Sequence, residues 1–364
     1  MKKILIACTA ILLLAACGTK NHYSIDGVTT EPSFEGCMVY LVANDSPVDS
    51  IVITNGTFHF EGTSDETQLF NLYAINNNHS LYCSLPVVLE HGTIHADLDR
   101  DSIYGTPLND AYNACLLKHN YKTSYKKLEQ FLSEIKNADP VSRQALVEEY
   151  YKFQEEVFIP CAEETLKDLL QSNKANPLGV YAARELASNK IMESQELENL
   201  MADTNSLFAK DVLLRKLLDE TRRIEATSPG HHFADFNCIL PNGELGPVSQ
   251  LVNGKLTLLD FWASWCAPCR EEISSNLIRL SKEYAPKGLQ VIGVDVWDQP
   301  DKHAAAVQQL SIPYTQVIDT TKNATDLYGI SGIPQIILIS PDGTILARDL
   351  RGNAIEEAIL DALK

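Results

Sequence analysis

The chain has 364 residues, with 30 Lys+Arg against 48 Asp+Glu, 45 % hydrophobic and 21 % charged residues. That is an ordinary globular composition, long enough for two or three cores that need no staples, so mini-protein scaffolds are excluded. A formal charge of −18 repels phosphate backbones, and no basic run interleaved with aromatics occurs, which argues against nucleic acid as a partner.

Lys2 and Lys3 precede an apolar run, Ile4 to Leu14, of signal-sequence length and well short of the ~20 residues a spanning helix needs. Residues 1–16 are therefore expected to be an export signal. The next stretch, Leu14-Ala15-Ala16-Cys17, resembles the lipobox of bacterial lipoproteins. That resemblance implies Cys17 as the first mature residue and an acyl anchor, holding the protein on a membrane without a spanning segment. The alternative is ordinary cleavage, with Cys17 a plain thiol. With Cys8 leaving in the signal and Cys17 acylated, seven of the nine thiols remain, at 37, 83, 115, 161, 238, 266 and 269. An odd, widely spaced set makes a poor disulfide framework. Five of them read as small buried apolar residues, with a Cys115–Cys161 bridge left open, and only Cys266 and Cys269 form a recognisable pair.

Residues 17–105 are poor in cations, with 2 Lys+Arg against 12 Asp+Glu, and their pattern is β. Asn55-Gly56 between Ile51-Val52-Ile53 and Phe58/Phe60 predicts a type I′ hairpin with Ile53 opposite Phe58 and Ile51 opposite Phe60. Val39 to Val42 and Leu85 to Leu89 read as further strands of a small antiparallel sandwich or sheet. His59, His79, His91 and His95 are scattered without metal-ligand spacing.

Residues 106–228 change to a helical period. Tyr121, Tyr125, Leu128, Leu132 and Ile135 form one apolar stripe, Leu146, Tyr150, Phe153 and Val157 another, and Pro160 should kink or end a helix. Asn176-Pro177 marks a further break, Leu207 to Leu218 a last helix, and Thr227-Ser228-Pro229-Gly230 a linker.

From 229 to 364, strands and helices alternate. Leu256–Trp262 reads as a buried strand, Ala267–Tyr284 as a helix closing at Gly288, Gln290–Val296 as a strand and Asp301–Leu310 as a helix. Gln335–Ser340 and Thr344–Leu350 flank Asp342-Gly343 as a hairpin, and Asn353 with Glu356 predicts a capping box on a final helix. Trp265-Cys266-Ala267-Pro268-Cys269 falls where the first strand hands over to the helix. No second Cys or His pair is spaced to complete a zinc site, and Arg270 stands where a c-type haem motif needs His. At a helix N-terminus the free N–H groups and the macrodipole favour a thiolate, so Cys266 is expected to be the attacker. Cys269, one turn along, can resolve the mixed disulfide. Pro268 suits the first helical turn.

The run from Leu258 through Asp260 and Trp262 to Trp265-Cys266-Ala267-Pro268-Cys269-Arg270 resembles the active-site stretch of the thioredoxin superfamily, in its TlpA/ResA-like branch. The resemblance covers residues 231 to 364 and implies an α/β thioredoxin-like fold behind a small all-β domain and an α-helical middle. Asp49-Ser50 with Asn55 to Gly62 resembles the β-rich domain of unknown function found ahead of thioredoxin modules in exported lipoproteins. By resemblance, Gly332-Ile333-Pro334 is the cis-proline loop, with Ile333 and Pro334 at the substrate chain. Asp260 is the buried acid that moves a proton to or from Cys269, and Glu272 the acidic residue that tunes the pair. Trp265 is expected to form part of the docking platform or to pack. Ser274 and Gln335 depart from the family's usual Pro and Thr.

The expected function is that of a lipid-anchored, extracytoplasmic thiol-disulfide oxidoreductase in the cell envelope, its thioredoxin domain in the periplasm. The resemblance implies a reductive role on protein thiols or apocytochromes, fed by a membrane electron donor, with no organic cofactor and no metal; the Ala-Pro dipeptide between the cysteines does not fix the potential, so isomerase and oxidase stay open beside reductase. The alternative is an adaptor lipoprotein whose first two segments recognise a partner. A peroxidase would need a site sequence other than Trp265-Cys266.

Overall fold

The computed structural model describes residues 21–43, 46–76, 82–252 and 254–364. Residues 1–16, Cys17 and His79 lie outside them. The described chain divides into two compact units, one running to Met192 and including Leu200–Leu213, the other built from Glu193–Asn199 and Leu214–Lys364.

The first unit opens with eight strands: β1 (Asn21–Val28), β2 (Met38–Ala43), β3 (Ser46–Val52), β4 (Thr57–Ser64), β5 (Gln68–Ile75), β6 (Tyr82–Leu89), β7 (Gly92–Asp97) and β8 (Ser102–Tyr104). They form two four-stranded sheets, ordered β4-β1-β7-β8 and β3-β2-β5-β6. All neighbours are antiparallel except β1 and β7. Side chains alternate as the period of two requires: Phe58 and Phe60 are buried while His59 between them is exposed.

The Asn55-Gly56 turn forms, both residues at positive φ (53° and 68°) with Thr54 bridging Thr57. The hairpin expected beyond it does not. β3 pairs with β2, putting Ile51 opposite Val39, and β4 pairs with β1 along eight positions, putting Phe60 opposite Ile25. The cause is local: the Glu35 carboxylate takes the Asn55 and Gly56 N–H groups at 2.9 and 3.0 Å, and Ile53 exchanges backbone bonds with Gly36 and Cys37. The two flanks are thereby drawn into different sheets.

Five helices follow in this unit: α1 (Pro107–Lys118), α2 (Tyr121–Asn137), α3 (Pro140–Phe153), α4 (Ile159–Ser172) and α5 (Pro177–Ser188). Asn109 on α1 is buried and both accepts from and donates to the Val88 backbone (3.0 and 2.9 Å), tying helix to sheet. Pro160 does not end a helix. A π-helical turn, Gln154–Phe158, inserts ahead of it, and the chain runs on into α4. On α2 the buried side is Leu128 with Phe131, and Leu132 from the predicted stripe points out, 53 % exposed.

Three helices carry the chain into the second unit: α6 (Ser194–Met201), α7 (Leu207–Lys210) and α8 (Val212–Ala226). The helix expected at Leu207 to Leu218 is thus two, broken at Asp211. The stretch Thr227 to Gly230 is pinned rather than loose. Arg348 donates to the Ile224 carbonyl (3.1 Å) and the Thr227 hydroxyl (2.7 Å), and the Gly230 N–H donates to the Ile345 carbonyl (2.8 Å).

The rest of the second unit comprises β9 (Asn237–Ile239), β10 (Leu245–Pro247), α9 (Ser249–Val252), β11 (Leu256–Trp262), α10 (Ala267–Glu272), α11 (Ile278–Tyr284), β12 (Leu289–Asp295), α12 (Pro300–Leu310), β13 (Thr315–Ile318), α13 (Asn323–Leu327), β14 (Gln335–Ile339), β15 (Ile345–Ala347) and α14 (Asn353–Ala362). The strands make one mixed sheet, β10-β9-β13-β12-β11-β14-β15, in which β11 lies parallel to β12 and antiparallel to β14. All seven β11 residues are buried, as a continuous apolar strand covered on both faces demands. Leu258 and Trp262 pack on one face with Cys266, Cys269, Ile273 and Ile355, whereas Leu259 and Phe261 pack on the other with Phe236 and Tyr328. The alternation puts Asp260 on the cysteine face. The capping box at the last helix is absent: Asn353 is already helical, and Glu356 turns to Arg279 (2.6 Å) and the Tyr284 hydroxyl (2.7 Å).

Candidate redox site

β11 ends at Trp262, four residues before Cys266, so the carboxyl end of the central strand delivers the pair to the sheet's rim. Cys266 is the N-cap of a helical run that starts with α10, passes through a π turn at Ile273–Leu277 and continues as α11. It is bonded to Cys269, with Cα atoms 5.3 Å apart. The Cys269 N–H donates to Cys266 Sγ at 3.2 Å, one of the N-terminal donors that a helix leaves unpaired. In the reduced state this donor and the helix dipole favour the thiolate at Cys266. Cys269 is fully enclosed. Ser274 bonds the Arg270 carbonyl with its own hydroxyl (2.8 Å), and the run turns π there without a proline.

Cys266 Sγ lies 3.8 Å from the carbonyl oxygen of Ile333, and the Ile333–Pro334 peptide bond is cis. Trp265 is 61 % exposed at the rim, its indole N–H donating to the Trp297 carbonyl (3.1 Å). Asp298 accepts the Ser264 N–H at 2.6 Å. Trp297 and Asp298, given no role from sequence, therefore brace the loop that carries the cysteines. The only sequence signal was their position just past β12.

Behind the pair, Asp260 is 1 % exposed and neither carboxylate oxygen has a hydrogen-bond partner among the described residues. Burial, reinforced by the nearby Glu272 charge and opposed by Arg351, pushes its carboxyl up to about 8. Glu272 is half-buried rather than a solvated surface charge, accepting from Asn276 (2.6 Å) and from the Gly352 N–H (3.2 Å). Arg351, which sequence reasoning missed, donates to the Pro334 and Leu350 carbonyls. Its charge also acts on both acids. Tyr314 adds a buried hydroxyl, without a hydrogen-bond partner among the described residues, that feels the Asp260 charge.

In the first unit, Cys115, His119 and Asp168 bring their ligand atoms within 4.8 Å of one another, and Lys118 pairs with Asp168 at 2.7 Å. Cys37, Cys83, Cys115, Cys161 and Cys238 are free thiols.

Residues 229–348 match the AhpC/TSA family, and residues 23–112 match a domain of unknown function, DUF4369. The chain is 36 % identical over 122 residues to the thiol:disulfide interchange protein HelX of Rhodobacter capsulatus, covering 33 % of this chain and 66 % of that one. It is 27 % identical over 137 residues to the thiol-disulfide oxidoreductase ResA of Bacillus subtilis, covering 38 % and 75 %. A solved thiol-disulfide oxidoreductase from Bacteroides fragilis is 30 % identical, with 36 % of this chain and 98 % of that chain covered and a TM-score of 0.33. Among the first curated relatives, the matched share of their length runs from 50 % to 75 %. The C-terminal module is a thioredoxin-like domain of the AhpC/TSA family, homologous to the ResA and HelX thiol-disulfide oxidoreductases.

Proposed function

We propose that this protein is a thiol-disulfide oxidoreductase acting on protein cysteines outside the cytoplasm, in the reductive direction. The observation that carries the reading is the Cys266–Cys269 disulfide at the start of a helical run, with a buried, unpartnered carboxyl on the same face of the sheet. In the reduced form, the Cys266 thiolate attacks a client disulfide, forming a mixed disulfide and releasing one client thiolate. Cys269 gives its proton to the Asp260 carboxylate, attacks Cys266 Sγ, and releases the second client thiolate. Two electrons pass to the client and the Cys266–Cys269 bond returns. A membrane dithiol donor must then reduce it. Trp265 and the Ile333-Pro334 carbonyl edge would receive the client chain.

The apolar run Ile4 to Leu14 and the Leu14-Ala15-Ala16-Cys17 sequence after it support export and anchoring through an acylated Cys17. Equilibration of the pair in glutathione or dithiothreitol buffers tests the direction: a potential near −270 mV supports a reductase, and one near −120 mV reverses it. The Cys269→Ser variant should accumulate mixed disulfides through Cys266. Failure to form any, in protein whose wild type cycles, would refute the mechanism.

A further inference from the structure

Helices α1, α2, α4 and α5 of the first unit enclose a cavity of about 210 Å³. Four aromatic rings line it. Tyr112 and Tyr181 meet edge-on with centroids 5.8 Å apart, and Tyr121 and Phe158 lie 5.6 Å apart. Glu185, one turn beyond Tyr181 on α5, puts its carboxylate into the same wall.

That carboxylate makes no hydrogen bond or ion pair among the described residues. The neighbouring cation, Arg184, is engaged by Asp211 at 3.1 Å. Burial raises the Glu185 carboxyl against the opposing Arg184 charge, and the Tyr112, Tyr121 and Tyr181 phenols, raised first by burial, are raised further by the Glu185 charge. A half-buried carboxylate whose neighbouring cation is engaged by another acid is costly to hold in an apolar wall.

We propose that this cavity binds an alkylammonium group, either a free amine or the side chain of a lysine. The negative faces of aromatic rings attract a cation, and a carboxylate among them supplies the full counter-charge. The volume falls below the roughly 300–1,000 Å³ of sites for drug-sized ligands, which suits one short aliphatic chain with a charged head. Nothing in this proposal depends on the cysteine chemistry, so it stands or falls apart from the redox reading.

The test is calorimetric titration of the full chain with n-butylammonium and with its neutral counterpart n-butanol. Parallel titrations use a short lysine peptide and the same peptide carrying norleucine. The ammonium probes should bind saturably and the neutral ones about tenfold more weakly, with Glu185→Gln lowering butylammonium affinity about tenfold. Binding of both ammonium probes assigns the site to the group itself, and binding of the peptide alone assigns it to a protein lysine. Tyr121→Leu, which leaves the acid in place, should weaken the ammonium probes about threefold and spare butanol, and it serves if Glu185→Gln does not fold. No saturable binding of either ammonium probe at millimolar concentration, or equal binding to wild type and both variants, would overturn the proposal.

Discussion

In the second unit Cys266 caps a helical run with a backbone N–H aimed at its sulfur, whereas in the first unit Cys83 and Cys115 point their sulfurs at carboxylates. Those sulfurs lie 3.5 Å from Asp101 and 3.8 Å from Asp168. The same side chain is steered in opposite directions by what faces it. Burial, then the Asp168 charge, pushes the Cys115 thiol up to about 11, and burial with Asp101 pushes Cys83 higher still. Reactivity in this chain is a property of place, and the count of free thiols says nothing about it.

The largest expected effect follows from that contrast. A cysteine at a helix N-terminus commonly titrates between about 3.5 and 7.5, so Cys266 in the reduced protein should be largely thiolate at pH 7, whereas Cys115 should be about one part in 10⁴. Intrinsic nucleophilicity falls with pKa at a Brønsted slope of about 0.4–0.5, which for a helix-terminal thiol near the upper end of that range returns nearly two of those four decades. After mild reduction, iodoacetamide at pH 7 should therefore alkylate Cys266 about 10²-fold faster than Cys115, read by peptide mass spectrometry. Comparable rates would remove the electrostatic account of the site. Cys266→Ser should abolish disulfide exchange while leaving Cys115 labelling unchanged.

A second effect separates two acids, one buried and the other partly exposed. The Asp260 carboxyl titrates at about 8 in the folded protein against about 3.9 unfolded, so the folded state holds the proton more tightly. That contribution is complete below pH 4 and is lost as pH rises to 8. Asp260→Asn removes the ionisation but keeps a buried, unpartnered polar group. It should stabilise the oxidised protein by about 5 kcal/mol at pH 8 and hardly at all at pH 4, measured by urea unfolding, and slow the resolution step proposed for Cys269. Equal destabilisation at both pH values would show that Asp260 is not a titrating core acid. Asp168 is the counterexample: Lys118 and then His119 hold its carboxyl down at about 2, and it is ionised throughout this range.

The redox pair was legible because its signals are local. A mostly apolar strand, a CxxC shortly after it and a Pro in the first turn fixed β11 and the helix start from neighbouring residues alone, and the roles proposed for the two cysteines rest on the same local signals. Arg351, Tyr314 and Asp298 were not legible, because each acts across the fold on groups 16 or more residues away, a distance that no periodicity encodes. The Asn55-Gly56 turn shows the same boundary within one motif. The turn itself formed from two residues, but the strands that leave it found their partners in β1 and β2, chosen by Glu35 and by register elsewhere.

The smallest expected effect lies on α2, where the apolar stripe named Leu132 and the structure buries Phe131. Both residues sit on a helix of period 3.6, and a stripe drawn at i+4 rather than i+3 from Leu128 moves the buried side by about one residue's rotation. The tertiary partners decide between them: Phe131 meets Phe153 at 5.7 Å and Tyr150 at 6.5 Å across from α3, contacts no local spacing reveals. Phe131→Ala should then cost about 3 kcal/mol through lost burial and a residual cavity, whereas Leu132→Ser, on the exposed side, should stay within about 0.5 kcal/mol. Denaturant midpoints of the two variants decide the matter, because a Leu132→Ser loss as large as that of Phe131→Ala would place the stripe, and not the aromatic cluster, at the core of the helical region.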